Sequence, residues 1–129
     1  MKFLIDTGIR LAEGEYAYEG RIEVLYKGEW GTVCDDYFGD NDADVACKMM
    51  GMLRAKYWQN SNRGGRHRPG SGEIWLDELG CTGNESNLFD CIHGPNGKYC
   101  IHREDVWVVC DGKCQSLCKN GFFPIFDFV

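Results

Sequence analysis

The chain has 129 residues, 43% of them hydrophobic, and its 14 basic and 20 acidic side chains leave a net charge of −6. That length suits one folding unit, and a domain so small removes only about 60 to 70% of its unfolded surface from water, so apolar burial alone leaves little margin over chain entropy. The acidic balance argues against nucleic acid as a physiological target, and no stretch approaches the roughly 20 apolar residues of a membrane helix, so no membrane insertion by this segment is expected.

Taken in order, Met1-Lys2-Phe3-Leu4-Ile5 has the character of a signal peptide, but Asp6 ends the apolar run short of the roughly 7 to 15 residues required. Arg21-Ile22-Glu23-Val24-Leu25-Tyr26 alternates polar with apolar, Lys27-Gly28 turns the chain, and Glu29-Trp30-Gly31-Thr32-Val33-Cys34 returns, which predicts a hairpin. Asp40-Asn41-Asp42 offers capping side chains and negative charge. Ala43, Ala46, Cys47, Met49 and Met50 then fall at helical spacing before Gly51, which predicts one amphipathic helix from about Asp42 to Met50 with Cys47 facing the sheet. Arg54 to Gly72, rich in Gly, Asn, Ser and Arg, reads as a long surface loop. Glu73-Ile74-Trp75-Leu76-Asp77 has strand composition, Glu85 to Asp90 suits a short helix, and Val106-Trp107-Val108-Val109-Cys110 reads as a closing strand. The apolar ending, Gly121 to Val129, is expected to lead into a further segment of a longer protein.

Eight cysteines stand at 34, 47, 81, 91, 100, 110, 114 and 118. Structural zinc takes tight pairs such as C-x-x-C, a spacing absent here, so disulfides and an oxidising, extracellular compartment are the expectation. Asn84-Glu85-Ser86 forms a glycosylation sequon, consistent with that address.

Gly20-Arg21-Ile22-Glu23-Val24, Trp30-Gly31-Thr32-Val33-Cys34-Asp35-Asp36, Ile74-Trp75-Leu76-Asp77, Cys81-Thr82-Gly83-Asn84-Glu85-Ser86 and His102-Arg103-Glu104-Asp105-Val106 follow one another in an ordered series. Together they resemble the scavenger receptor cysteine-rich (SRCR) domain from about Ile9 to Cys110, leaving an N-terminal extension over 1–8 and a C-terminal segment over 111–129. The resemblance implies an α+β fold: a curved antiparallel β-sheet cradling one α-helix, with a second short helix and long disulfide-stapled loops. It also implies the pairs Cys34 to Cys100, Cys47 to Cys110 and Cys81 to Cys91, which spacing alone does not select. Tyr18 and Met52 stand where eight-cysteine members carry a further bridge, so the chain resembles the six-cysteine, group A type. Cys114 and Cys118 fall outside that pattern. They could pair with each other, bridge to another chain or open a following cysteine-rich module; Cys118-Lys119-Asn120-Gly121 favours the last.

Two adjacent carboxylates in a loop can converge on a cation, and calcium takes six to eight hard oxygen ligands. The resemblance implies a metal at Asp35 and Asp36 with Glu85 as third carboxylate; Asp77 and Asn84 are candidates to support those ligands or to form a second site, and Asp77 could equally begin a turn after its strand. The competing reading makes the aspartates solvated turn residues and Glu85 a helix cap. Arg54, Lys56, Arg63, Arg66 and Arg68 lie in the loop with no acid among them, so the rest of the chain carries nine basic against twenty acidic residues, or −11. Such a stretch can bind sulfate, phosphate or carboxylate groups of a polyanion, or it can be a solvated loop. Trp58 could stack on a ligand or pack; Trp30, Trp75 and Trp107 are expected in or beside the core.

No catalytic constellation emerges. Ser61, Ser71, Ser86 and Ser116 lie in no nucleophile-elbow setting, His102 is expected in a structural hydrogen bond, His67 in solvent and His93 at a turn. The expected function is an extracellular ligand-binding module, secreted or on a membrane protein's ectodomain, that binds anionic or protein ligands with calcium assistance. The alternatives are a noncatalytic accessory domain of a secreted or membrane-anchored protease or oxidase, and a purely structural module of a matrix or adhesion protein.

Overall fold

The computed structural model describes residues 8–62 and 65–111. The readings placed on Arg63, on Cys114 and Cys118, and on 1–7 and 112–129 lie outside the described residues. Six strands, β1 (Ile9–Ala12), β2 (Glu19–Tyr26), β3 (Glu29–Val33), β4 (Ala55–Asn60), β5 (Glu73–Leu76) and β6 (Val106–Cys110), share one sheet with the helix α1 (Asp40–Met49). Short 3-10 turns cover Leu88–Asp90 and His102–Glu104.

The hairpin forms where alternation and turn residues predicted it. Lys27 (φ 52°) and Gly28 (φ 79°) both take left-handed backbone, the combination whose twist matches two right-twisted strands. From β2 the sheet grows outward: its first residues pair with β6, its middle with β1 and its end with β3, all antiparallel, and β4 pairs antiparallel with β6. One pairing differs from the antiparallel expectation. β5 runs parallel to β3, because α1 and β4 intervene and bring the chain back in the same direction, so the curled sheet is mixed.

The sheet's apolar face packs on α1. Ile22, Val24, Val33, Val45, Met52, Leu76, Leu79, Leu88, Val106 and Val108 have at most 1% of their surface exposed, and each such side chain contributes about 1.5 to 3 kcal/mol of transfer free energy. The alternation in β2 marks two buried faces rather than one buried and one wet. Arg21 and Glu23, on the side opposite the core, are also buried. Arg21 reaches Glu23 at 3.0 Å and Glu13 at 2.8 Å, and donates to the Arg68 carbonyl at 2.7 Å, so the segment after β4 folds over this polar layer.

Part of that segment is regular. The expected loop from Arg54 to Gly72 contains β4, an edge strand paired with β6, whose half-buried and exposed residues lack the apolar alternation by which strands are recognised. Helix α1 begins at Asp40, two residues before the expected start, with Gly39 as N-cap. His67, expected in solvent, is buried: its ring packs edge-on against Trp107 at 4.9 Å and hydrogen-bonds Gln59 at 2.7 Å. The short helix expected over Glu85 to Asp90 is confined to Leu88–Asp90, where the Asn87 side chain accepts from the Phe89 N–H at 2.9 Å.

All three implied disulfides are present. Cys47–Cys110 ties α1 to β6, Cys34–Cys100 joins the end of β3 to the segment before β6, and Cys81–Cys91 closes a local loop. No free cysteine occurs among the described residues. Met52 is fully buried and Tyr18 packs against the same core, so apolar burial occupies the two positions where a fourth bridge was considered.

Candidate functional site

Three chain segments meet at one rim of the sheet. Because β3 and β5 are parallel, their C-terminal ends lie side by side, and the Cys34 N–H donates to the Leu76 carbonyl at 2.8 Å; Asp77 follows directly. Antiparallel β6 begins at this same rim: Cys34 bridges Asp105, and the Asp35 N–H donates to the Glu104 carbonyl at 2.9 Å. Tyr37 then turns the chain with left-handed backbone (φ 63°). The backbone thus gathers acids that are distant in sequence.

Carboxylate oxygens of Asp35, Asp36 and Glu104 lie within 4.8 Å of one another, and Asp36 and Asp77 approach each other equally closely. The sulfurs beside them belong to the Cys34–Cys100 disulfide and are not metal ligands. At that separation each pair of charges repels by about 1 kcal/mol in a water-like medium and about 3 kcal/mol at an effective dielectric of 20. Asp77 is 5% exposed, and its Oδ1 is the one buried side-chain oxygen without a hydrogen-bond partner among the described residues. Burial first, then the neighbouring charge of Asp36, pushes its carboxyl above the usual aspartate value. A hard divalent cation would relieve both the repulsion and the unanswered oxygen.

Of the residues expected to share a metal, the structure gathers Asp35 with Asp36 and, in an adjoining group, Asp36 with Asp77. Glu85 is not gathered with them. Its carboxylate turns back on its own loop, accepting from the Thr82 N–H at 3.0 and 3.1 Å and from the Gly83 N–H at 3.1 Å, and these bonds hold it below the ordinary glutamate value. Asn84, in that same loop, is exposed, and its N–H donates to Thr82 Oγ1 at 3.3 Å. The third carboxylate beside Asp35 and Asp36 is that of Glu104, which the sequence did not single out. The signal available was its acidic pair, Glu104-Asp105, a few residues after a half-cystine at Cys100.

Asp105 itself is fully buried and structural: it faces His102 Nδ1 at 2.9 Å and accepts from the Gly70 N–H at 2.8 Å, while His102 Nε2 meets the Gly72 carbonyl at 2.9 Å. Beside the cluster lies an open groove of about 630 Å³ lined by Asn60, Tyr99, Ile101, Arg103 and Glu104 among others. Asn60 joins groove to cluster by donating to Asp35 Oδ2 at 2.9 Å.

The basic segment is partly answered by acids from elsewhere. Arg66 pairs with Glu19 at 2.6 Å and Glu15 at 3.9 Å, and Arg54 faces Asp111 at 3.6 Å. Lys56 and Arg68 are exposed, and the Arg68 carbonyl accepts from the Trp107 indole at 3.0 Å. Trp58 packs edge-on against Phe38 at 5.0 Å and donates to Asp40 at 3.2 Å, which favours packing over a ligand platform.

A curled mixed sheet around one helix, three disulfides that require an oxidising compartment, and a carboxylate cluster on an exposed rim define an extracellular recognition module. The family model for the scavenger receptor cysteine-rich domain matches residues 12–111, and the chain belongs to that family, with the bridges of its group A type. Lysyl oxidase homolog 2 of Mus musculus is 50% identical over 112 residues, which are 85% of this chain and 14% of that protein. Lysyl oxidase homolog 4 of Homo sapiens is 48% identical over 95 residues, 71% of this chain and 12% of its own length. The chain therefore spans a small part of the relatives it matches. Among solved structures, the third SRCR domain of murine neurotrypsin superposes with a TM-score of 0.70 at 40% identity, covering 80% of this chain and 94% of that one. The SRCR domain of mouse MARCO, in a dimeric form, gives 0.63 at 46% identity over 72% of this chain and 86% of that one. No described helix is long and apolar enough to cross a membrane.

Proposed function

We propose that this chain is a noncatalytic binding module of a larger extracellular protein, recognising anionic or protein ligands through a calcium ion held by Asp35, Asp36 and Glu104, with Asp77 as a further ligand. The observation that carries the reading is that Asp36 lies within ligand reach of Asp35 and Glu104 in one cluster and of Asp77, buried with an unanswered oxygen, in an adjoining one. A cation there turns an acidic rim into a point of positive charge open to a ligand's carboxylate, sulfate or phosphate. Arg103 in the adjoining groove adds a positive charge, and Tyr99 and Ile101 add apolar surface. Lys56 and Arg68, like the ion-paired Arg54 and Arg66, are exposed in the expected polyanion-binding segment.

Calorimetric titration of the refolded, oxidised domain with calcium tests this. Asp36→Ala and Glu104→Gln are expected to weaken binding at least tenfold, and Glu85→Gln to leave it within twofold. Equal affinity in wild type and Asp36→Ala, or no binding by wild type, refutes the site. Titration of a sulfated polysaccharide with and without chelator then tests the ligand step; unchanged affinity removes the metal from it.

The identity to lysyl oxidase homologs favours a second reading compatible with the first: the module is an accessory domain attached to an oxidase. Sequencing the full transcript tests this by showing what flanks the module. The exposed sequon at Asn84 is proposed as an N-glycosylation site, checked by the mass change on enzymatic deglycosylation.

A further inference from the structure

The segment between β1 and β2 takes no part in the rim described above. It reads Glu13-Gly14-Glu15-Tyr16-Ala17-Tyr18, followed by Glu19, and no lysine or arginine interrupts it between Arg10 and Arg21. Glu13 and Glu15 keep 52% and 70% of their side chains exposed, while Glu13 pairs with Arg21 at 2.8 Å and Glu15 lies 3.9 Å from the exposed Arg66, which is held at 2.6 Å by Glu19. Tyr16 is 45% exposed. Its ring stacks on Tyr18 at 5.3 Å with planes 1° apart, and Tyr18 in turn packs against the core, so Tyr16 is the outer member of an anchored pair. Backbone bonds hold the loop in shape: the Glu19 N–H donates to the Tyr16 carbonyl at 3.1 Å, and the Glu15 N–H donates to the Glu19 carboxylate at 3.0 Å.

We infer that Tyr16 is a site of tyrosine O-sulfation, made as the folded chain passes through the secretory pathway. The three disulfides place the chain in that compartment. A sulfotransferase must bind a polyanionic nucleotide donor, a mixed anhydride of phosphate and sulfate, so its cleft is basic and draws in a phenol flanked by carboxylates. In the transfer, Tyr16 Oη attacks sulfur and forms a new O–S bond. The bond from sulfur to the donor's phosphate oxygen breaks, the nucleotide leaves with that electron pair, and the phenolic proton passes to a base of the transferase. Nothing is oxidised or reduced. A neutral phenol becomes a permanent aryl sulfate anion, which adds to the acidic knob formed by Glu13 and Glu15 and makes it a contact for a basic partner.

The other exposed tyrosines lack one or more of these features. Tyr57 follows Lys56 and Tyr99 follows Lys98, whose charge opposes entry to a basic cleft. Tyr26 precedes Lys27 and is engaged with Trp75 and Phe89. Tyr37 follows Asp35 and Asp36, but its segment is cross-linked at Cys34 to Cys100, and its flanking acids face each other in the rim cluster.

The test is secretion of the full chain behind an added, cleavable secretion leader from cultured animal cells that sulfate a known control protein, with intact mass and peptide mapping of the product. The expected result is a gain of one SO3 on the peptide holding Tyr16, resistant to phosphatase. It should be lost when chlorate blocks donor synthesis, lost in Tyr16→Phe and kept in Tyr37→Phe. Glu15→Gln is expected to lower occupancy severalfold. Absence of the gain in wild type while the control is sulfated overturns the inference. So does a gain that phosphatase removes, or one that persists in Tyr16→Phe.

Discussion

Asp42 offers the sharpest test of how the helix is positioned beneath the rim. Its carboxylate, 3% exposed with its residue, accepts from the Gly39 N–H at 2.7 Å and from the Cys81 N–H at 2.8 Å. One bond caps α1; the other fastens the helix start to the Cys81–Cys91 loop. Asp42→Ala removes both acceptors, and hydrogen bonds to a charged group contribute about 1.5 to 3 kcal/mol each. Water can reach Gly39, which is half-buried, but not the buried nitrogen of Cys81. The expected loss is therefore about 3 kcal/mol rather than the full sum, equivalent to roughly 12 °C or more in Tm for a domain of this size. Burial, then the charge of Glu85, raises the Asp42 carboxyl above its ordinary value, while its two N–H partners oppose the rise. A carboxyl raised by folding contributes its stability below the unfolded value and loses it as pH rises, so at neutral pH a neutral amide recovers part of that cost. Asp42→Asn, which keeps one acceptor, should fall between wild type and Asp42→Ala in urea unfolding of the oxidised domain. A loss below 1 kcal/mol for alanine, or equal losses for alanine and asparagine, refutes the account.

Other expectations follow from the same structure. Asp77 is likewise raised, by burial and then by Asp36, so its ionisation costs stability as pH rises and a bound cation offsets that cost. The calcium-induced increase in Tm should be largest at neutral pH and fade on acidification toward the raised Asp77 value; a shift independent of pH would contradict this. Arg21→Ala strands Glu23 in the polar layer with only the partly exposed Arg10, 2.8 Å away, and should cost about 3 to 5 kcal/mol in urea unfolding. By loop entropy, the bridges closing 66 and 63 residues are each worth about 4 kcal/mol against about 3 for the 10-residue loop. Paired serine replacements at Cys34 and Cys100 should thus lower Tm more than those at Cys81 and Cys91, as differential scanning calorimetry would register.

Local chemistry determined much of this molecule directly. Lys27-Gly28 between two alternating runs specified the hairpin, because few residues accept left-handed backbone twice in succession. Helical spacing around Cys47 placed that sulfur on the buried face, and the ordered motifs pointed to the family and its cysteine pairing. Adjacency also made Asp35 and Asp36 recognisable as a pair. What the sequence withheld depends on distant partners. β4 is a strand because β6 offers it a free edge, not because its own residues demand it. His67 is buried because the chain folds over Trp107, and Arg21 and Glu23 are buried because the Arg68 segment covers them. The third carboxylate of the rim is Glu104 rather than Glu85 because parallel pairing of β3 with β5, and the bridge from Cys34 to Asp105, bring those ends together across some seventy residues. Pairing register is a property of two segments at once, so only the assembled sheet decides which acids become neighbours.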